Sequence, residues 1–286
     1  MTFARDDADL FIPDGLAETE ALARTTHLGI GAHPDDLEFM ALHGIQACYS
    51  TQDEWFGGVT CTDGAGCARS GPFADYTDAQ MAVARAQEQR EAATIGQYAF
   101  MAQLGHPSRA TKDPFMRTAL QSDLVDVLKW TRPQVVYTHN PFDSHDTHVG
   151  VLYAVLEAVR ALPLEERPRR LLGCEVWRGL DWLPSVWKVR QPLDVHPELA
   201  AALNAAFKSQ IAGGKRYDLA VEGRRLAHAT FSESHAVDTC RSMALAVDLT
   251  PLLADDALTL ETFSREVLDA FRTEVTSLQS RLKSSS

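Results

Sequence analysis

The sequence is poor in basic residues relative to acidic ones: 27 Lys and Arg stand against 39 Asp and Glu, which gives a formal net charge of -12. Proteins that hold nucleic acid through its phosphates need a basic surface, so a nucleic-acid partner is not expected. The sequence also has no uninterrupted apolar run approaching the roughly 20 residues that a membrane helix needs. A membrane partner is therefore not expected either.

Secretory and dinucleotide signals are also missing. Residues 1–15 show no apolar stretch behind a basic start, so a secretory signal is not expected. The five cysteines are scattered and odd in number, which fits free thiols in a reducing cytoplasm and disfavours a structural zinc knuckle. Gly64 and Gly66 do not form a GxGxxG fingerprint, so we expect no nicotinamide cofactor.

The chain instead shows an alternation of strand-like and helix-like segments. Short apolar stretches rich in β-compatible residues predict strands at THLGIGA, EWFGGVTC, YAFMAQL and QVVYTH. Helical spacing follows them at DLEFMALHGIQACYS, TDAQMAVARAQEQREAATIGQ, DPFMRTALQSDLVDVLKWTRP and HVGVLYAVLEAVRAL. Thr77 is the predicted N-cap of the second helix, and Pro133 is expected to end the third. This order predicts an α/β, Rossmann-like three-layer fold with a mostly parallel sheet.

The later part of the sequence is less regular. RRLLGCEVWRG and SVWKVR resemble strands, and three long helical stretches follow, so we expect a helical C-terminal elaboration. We interpret residues 1–286 as a single domain with an extension at 1–26, a core at 27–160 and the elaboration at 161–286. The Pro- and charge-rich segment at 161–170 is the one candidate linker, and the terminal Ser-Ser-Ser is expected to fray.

Two polar loops follow predicted strands. In an open parallel sheet, ligand sites lie beyond the carboxyl ends of the strands, so these loops meet if their strands are neighbours. The first loop, AHPDD, carries His33, Asp35 and Asp36, and the second, THNPFDSHDTHVG, carries His139, Asp143, His145, Asp146 and His148.

Together the loops can complete a metal site. His33 and Asp36 can point to one centre, and His148 can supply a third ligand. Two His and one Asp leave an open position for water, the arrangement of catalytic zinc, and a bound metal lowers the pKa of that water to about 7. Asp35 is then placed as the general base, and His145 can donate to a developing oxyanion.

Plainer interpretations compete with these roles. An Asp before a helix most often caps it, and we expect Asp36 to serve as both cap and ligand. An HxxH pair is often surface or packing histidines. Arg69, in a glycine-rich loop, is a candidate for binding substrate hydroxyls, and the plainer alternative is an arginine that is simply solvated. Trp177 and Trp182 can line a sugar-stacking wall, although Trp residues are core by default.

At these residues the sequence resembles the N-acetylglucosaminyl deacetylase family of the PIG-L/LmbE type. AHPDDLE matches that family's AHPDDxE signature, and THNPFDSHDTHVGV is similar to its second motif, usually HPDH. VARAQEQREAATIG and FKSQI resemble two further family segments, so the likeness spans about residues 27 to 215. The resemblance implies zinc ligation by His33, Asp36 and His148. It also implies that Asp35 is the base and His145 the electrostatic or acid partner.

The second motif departs from the family pattern at one position. Thr147 stands where the family often has an acid that orients a neighbouring histidine. Three alternatives follow: Asp143 replaces that acid, Asp146 replaces it, or His145 is less basic than in the family.

The leading hypothesis is a zinc-dependent hydrolase that removes an acetyl group from an N-acetylated amino sugar or sugar conjugate, with Fe(II) as an alternative metal. A metal-dependent amidase acting on a non-sugar N-acyl compound stays open. A non-haem iron oxygenase shares the two-His-one-carboxylate set but usually has HxD spacing on a β-sandwich. A non-catalytic sugar-binding protein would be expected to lose the base or a ligand. The resemblance also allows a homo-oligomer.

Overall fold

The structure is a computed structural model that describes residues 1–283, and residues 284–286, with the predicted frayed end, lie outside the described part. The strands are β1 (Asp9–Phe11), β2 (His27–Gly31), β3 (Phe56–Thr62), β4 (Phe100–His106), β5 (Val135–His139), β6 (Arg170–Cys174), β7 (Lys188–Pro192) and β8 (Met243–Asp248). The first helices are α1 (Glu18–Ala23), α2 (Asp36–Met40), α3 (Leu42–Cys48), α4 (Asp78–Ile95), α5 (Ser108–Lys112), α6 (Arg117–Thr131) and α7 (Asp146–Arg160). The later helices are α8 (Pro197–Ala206), α9 (Lys208–Ala212), α10 (Tyr217–Thr230), α11 (Pro251–Ala254) and α12 (Leu260–Lys283).

The strands form one eight-stranded sheet in the order β1-β4-β3-β2-β5-β6-β8-β7. Its centre, from β4 to β6, is parallel, whereas β1, β7 and β8 pair antiparallel at the two sides. The α/β fold with a mostly parallel sheet is confirmed. Strands from all three predicted parts join this sheet, and the segment at 161–170 only connects α7 to β6.

Helices cover both faces of the sheet, which makes the three layers. One apolar core lies under α1, α6, α7 and α12, and a second lies under α2, α3, α4 and α8. Strand β3 is buried along its whole length, as expected for a central strand covered on both faces. Within residues 1–283, none of the helices combines the length and the apolar character required to cross a membrane.

The helix boundaries follow the local signals in most places. Thr77 and Gln80 form a reciprocal capping box at the start of α4, and α6 ends at Thr131, just before Pro133. The helix expected after the first polar loop is instead two short helices, because the backbone leaves helical geometry at Ala41. The β1 and β8 strands were not predicted.

Candidate active site

The two polar loops meet at the centre of the sheet. Strands β2 and β5 are parallel neighbours, with Leu28 opposite Val136, so the loops that follow them lie at the same edge. From β2 the strand order continues towards one edge of the sheet through β3 and β4, and from β5 it continues towards the other edge through β6. Ligand crevices in α/β sheets open where the strand order reverses in this way. The juxtaposition on which the predicted site depends is therefore present.

Three donor atoms converge in this crevice. Nε2 of His148 lies 3.2 Å from Nδ1 of His33, and Oδ2 of Asp36 lies 3.3 Å from that same His33 atom. The distance from Asp36 Oδ2 to His148 Nε2 is 3.5 Å. Metal bonds of about 2.0–2.1 Å in a tetrahedral site separate neighbouring donors by roughly 3.3 Å. The three atoms are thus spaced as zinc ligands would be.

The imidazole protonation also fits a cation. Nδ1 of His148 lies 3.1 Å from a carboxylate oxygen of Asp143, to which it donates its proton. The lone pair of His148 Nε2 then faces Nδ1 of His33 across 3.2 Å, and two such nitrogens need a shared proton or cation between them. Zinc, with its preference for nitrogen and oxygen ligands, suits this donor set.

The Asp36 carboxylate is held by the backbone that precedes it. Its Oδ2 accepts hydrogen bonds from the amides of Ala32 at 3.0 Å and His33 at 2.7 Å. Burial by itself would raise its pKa, but His148, together with hydrogen bonds to His139 and His33, holds the Asp36 pKa well below its usual range. The expectation that Asp36 also caps the helix is wrong, because the carboxylate turns back to the strand end.

A second set of donors includes His139. Asp36, His139 and His148 also have ligand atoms within 4.8 Å of one another. The His139 ring is fully buried and stacks on His148 at 3.9 Å between centroids, and burial lowers its pKa to about 4. Of the four residues in the two donor sets, His33 and Asp36 line the open cavity, whereas His139 and His148 do not. His139 therefore supports the site from below.

The acid that replaces the family residue at Thr147 is Asp143. Its Oδ2 contacts His148, and its Oδ1 accepts the backbone amide of His145 at 3.2 Å. Asp146 instead points outward to Lys112, at 2.9 Å. Asp143 thus fixes the ring of His148 and the backbone of His145 together.

Asp35 lies beside the donor set without belonging to it. Its side chain is almost fully buried and lies 3.3 Å from the Arg85 guanidinium. Burial raises the pKa of the Asp35 carboxyl well above its ordinary value, and Arg85 opposes that rise. The residue occupies the N-cap position of α2 in a left-handed conformation, with φ of 96°, and makes no side-chain cap. Such strain at a non-glycine residue is typical of functional positions.

A buried polar chain holds this conformation. The backbone amide of Asp35 donates to Oε1 of Gln89 at 3.1 Å, and Nε2 of Gln89 donates to Glu38 at 2.8 Å. Glu38 also accepts the hydroxyl of Tyr98 at 2.7 Å. Burial raises the Glu38 pKa to about 7. Sequence reasoning assigned no role to these residues, since a buried Gln in a helix has no distinguishing pattern.

His145 faces the cavity at the start of α7. Its Nδ1 accepts the backbone amide of Thr147 at 3.3 Å, so a neutral ring carries its proton on Nε2. Its ring stacks on His148 at 4.5 Å and meets His33 at 5.1 Å. Burial, with His148 and His33, lowers its pKa. The ring is therefore a hydrogen-bond donor beside the three converging atoms.

A cavity of about 500 Å³ opens above these groups. Its floor is formed by His33, Asp35, Asp36 and His145, and one wall carries Trp177 and Tyr217, whose rings meet at 6.0 Å. Four cationic side chains also line it, namely Arg85, Lys112, Lys215 and Arg224. Sequence reasoning did not single these four out, because charged residues on helices and loops are solvated in most proteins.

The predicted substrate-binding residues differ in whether they line this cavity. Trp177 lies on its wall and is 45% exposed. Trp182 does not line it and packs against Phe142 and Phe271 instead. The Arg69 guanidinium binds Ala65 and Asp78 and does not line the cavity, so a substrate role for Arg69 stays a prediction.

Comparison with known families finds a match over the part of the chain that contains the converging donor residues. The sequence model of the family described as PIG-L: GlcNAc-PI de-N-acetylase matches residues 28–159. The resemblance expected from the sequence is confirmed. This PIG-L-type segment contains both polar loops, and hence all three converging donors, Asp35 and His145. No curated protein matches the chain.

Solved structures share the fold at low identity. A conserved protein from Thermus thermophilus is 19% identical, with 79% of this chain and 94% of that one covered and a TM-score of 0.58. N,N'-diacetylchitobiose deacetylase from Pyrococcus horikoshii is 15% identical, with 85% and 90% covered and a TM-score of 0.58. GalB, the 4-carboxy-2-hydroxymuconate hydratase of Pseudomonas putida, is 16% identical, with 79% and 96% covered and a TM-score of 0.59. The fold alone therefore does not decide the reaction.

Proposed function

We propose that this protein is a zinc-dependent hydrolase that removes the acetyl group from an N-acetylated amino sugar or sugar conjugate. The observation that carries the proposal is the buried carboxylate of Asp35 beside three convergent donors, of which His33 and Asp36 line an open cavity. A deacetylase needs a site for a metal, a base next to it and room for the substrate. The PIG-L-type segment contains the metal donors and the base.

His33, Asp36 and His148 would hold the metal. When bound, the metal supplies Lewis-acid charge for the amide carbonyl and a water of lowered pKa. Asp35 accepts the proton of the attacking water, for which its raised pKa suits it, and delivers it to the leaving nitrogen. The Nε2–H group of His145 donates a hydrogen bond to the carbonyl oxygen as negative charge develops there. Asp143 keeps the imidazole of His148 in the tautomer that offers Nε2.

The surrounding residues place these groups. Gln89 fixes the backbone of Asp35, and Arg85 anchors the loop by donating to the carbonyls of Pro34 and Gly64. At Gly64, where φ is +63°, a Cβ would lie 2.7 Å from an Arg85 nitrogen, so only glycine leaves room for this contact. The five cysteines are free thiols, which supports our proposal of a reducing, cytoplasmic location.

A screen for primary-amine release from acetylated amines tests the function. The panel includes N-acetylglucosamine conjugates and non-sugar N-acyl amines, each assayed with zinc and with a chelator. We expect chelator-sensitive release from acetylated sugars and none from Asp35→Asn. Release from non-sugar amides alone would favour an amidase of another class. The absence of release from every compound would refute the deacetylase.

A further inference from the structure

The cavity has the opposite charge to the protein that contains it. The chain has a net charge of -12, yet Arg85, Lys112, Lys215 and Arg224 line the cavity against the carboxylates of Asp35 and Asp36. Clefts lined by one sign of charge concentrate ligands of the other sign. A neutral acetylated sugar gives no reason for such a concentration of cations.

The four cations differ in what neutralises them. Arg85 lies beside Asp35, and Lys112 pairs with Asp146 at 2.9 Å. Within residues 1–283, neither Lys215 nor Arg224 forms an ion pair with a carboxylate. Arg224 donates to the backbone carbonyls of Val176 and Trp177, which uses part of its five N–H groups. Two cations without a carboxylate partner therefore line the cavity.

These two cations adjoin the aromatic wall. The Lys215 ammonium lies 5.8 Å from the centre of the Trp177 ring, and Arg224 binds the backbone carbonyl of that same residue. The same Trp177 ring also lies 6.0 Å from that of His145, which stands beside the metal donors. A ligand that contacts Trp177 would therefore lie within reach of both the reacting groups and the two cations.

We propose, on the basis of the deacetylase function above, that the natural substrate carries an anionic group on the part remote from its acetamide. Lys215 and Arg224 bind that group, a carboxylate or a phosphate, while the ring next to it stacks on Trp177. The two residues set specificity and take no part in the chemistry. Hydrogen bonds to charged groups of this kind correspond to an affinity gain of about 10- to 100-fold.

Matched substrates test the proposal. The 4-carboxyphenyl, 4-(phosphonooxy)phenyl and 4-carbamoylphenyl glycosides of N-acetylglucosamine differ chiefly in charge. We expect kcat/KM for at least one anionic glycoside to exceed that of the carbamoyl compound by about 10-fold or more, with the advantage falling as salt is raised. Comparing the first two compounds distinguishes carboxylate from phosphate. Equal kcat/KM for all three would overturn the proposal.

Variants locate the effect on the wall. Lys215→Met is expected to remove most of the anionic advantage and Lys215→Glu to reverse it, each measured as the ratio of kcat/KM for the anionic and carbamoyl substrates. Lys208→Met is the matched control, because Lys208 is exposed and contacts Glu91 instead of lining the cavity. Arg224→Gln is expected to reduce the anionic advantage in the same way. Its thermal melting temperature is measured as well, because Arg224 also holds the backbone of Val176 and Trp177. An advantage that survives in Lys215→Glu would refute the assignment.

Binding of compounds without an acetamide separates this inference from the proposed reaction. Calorimetry compares 4-carboxyphenyl and 4-(phosphonooxy)phenyl glucosides with the 4-carbamoylphenyl glucoside, on the wild type and Lys215→Met. A Lys215-dependent preference for an anionic glucoside, without amine release from any substrate, would support the anion site and refute the deacetylase. Amine release without any anionic preference would do the reverse.

Discussion

The carboxylate of Asp143 and the Nδ1 atom of His148 lie 3.1 Å apart, and neither side chain reaches solvent. This contact decides which nitrogen of the imidazole is available on the cavity side. In metal sites such a carboxylate orients the ligand and raises its basicity. The contact also explains how the chain accommodates threonine at position 147, where the related family often has an acid.

Replacing Asp143 by alanine should weaken zinc binding by about 10- to 100-fold, because His148 would then be free to adopt the other tautomer. Competition against a chromophoric chelator measures the change. Asp146→Ala is the matched control, since Asp146 is an acid of the same loop that faces Lys112 and should leave the affinity unchanged. Equal zinc affinity in wild type and Asp143→Ala would contradict the assigned role.

Asp35 and Asp36, adjacent in sequence, should fail in different ways. Asp35→Asn should lower kcat by about 100- to 10,000-fold while bound zinc stays near the wild-type level, because a base is lost and no ligand is. Asp36→Asn should lose zinc and activity together. Metal analysis after gel filtration, paired with amine release, distinguishes the two. Loss of zinc from Asp35→Asn would show that Asp35 is a ligand.

Gln89→Leu should disturb Asp35 from a distance. Without the Gln89 carbonyl, the backbone amide of Asp35 loses its partner, and Glu38 loses a donor inside the protein. We expect the free energy of unfolding to fall by about 1–3 kcal/mol and kcat to fall with little change in zinc affinity. Gln87→Leu, on the exposed side of the same helix, is the control. An unchanged kcat in Gln89→Leu would remove Gln89 from the machinery.

Thiol labelling should distinguish the cysteines by their surroundings. Burial raises the pKa of Cys48 to about 12 and also raises the pKa of Cys61 and Cys174, so these thiols stay protonated and unreactive at pH 8. Cys240 is buried as well, and burial raises its pKa, whereas Cys67 is only partly buried and lines the cavity. One fast-reacting thiol is therefore expected in the native protein, and Cys67→Ser should abolish it. Fast labelling that persists in Cys67→Ser would contradict this assignment.

The sequence predicted the centre of the fold because its signals are local there. The β2 and β5 strands are short apolar runs that end in polar loops, and their neighbouring positions place the two loops together. The β1 strand was missed because three half-buried residues at an edge show no periodicity. The division between α2 and α3 at Ala41 has no local sequence signal, and α3 packs so closely on the sheet that a Cβ at Gly44 would lie 2.5 Å from the Tyr137 ring.

The residues around the reacting groups were harder to predict. His33, Asp36 and His148 were identified from ligand type and strand position, whereas Gln89 acts through a contact 54 residues away in sequence. Lys215 and Arg224 are ordinary residues until the folded chain brings them to the cavity wall. Partners of this kind are defined by distance in space, and a single sequence contains no measure of it.

The family match ends at residue 159, whereas Trp177, Lys215 and Arg224 all follow it along the chain. The residues that we propose for bond cleavage and those that we propose for substrate selection thus lie in separate stretches of polypeptide. A lineage built in this way could acquire new substrates through the later stretch while the residues proposed for hydrolysis stay constant.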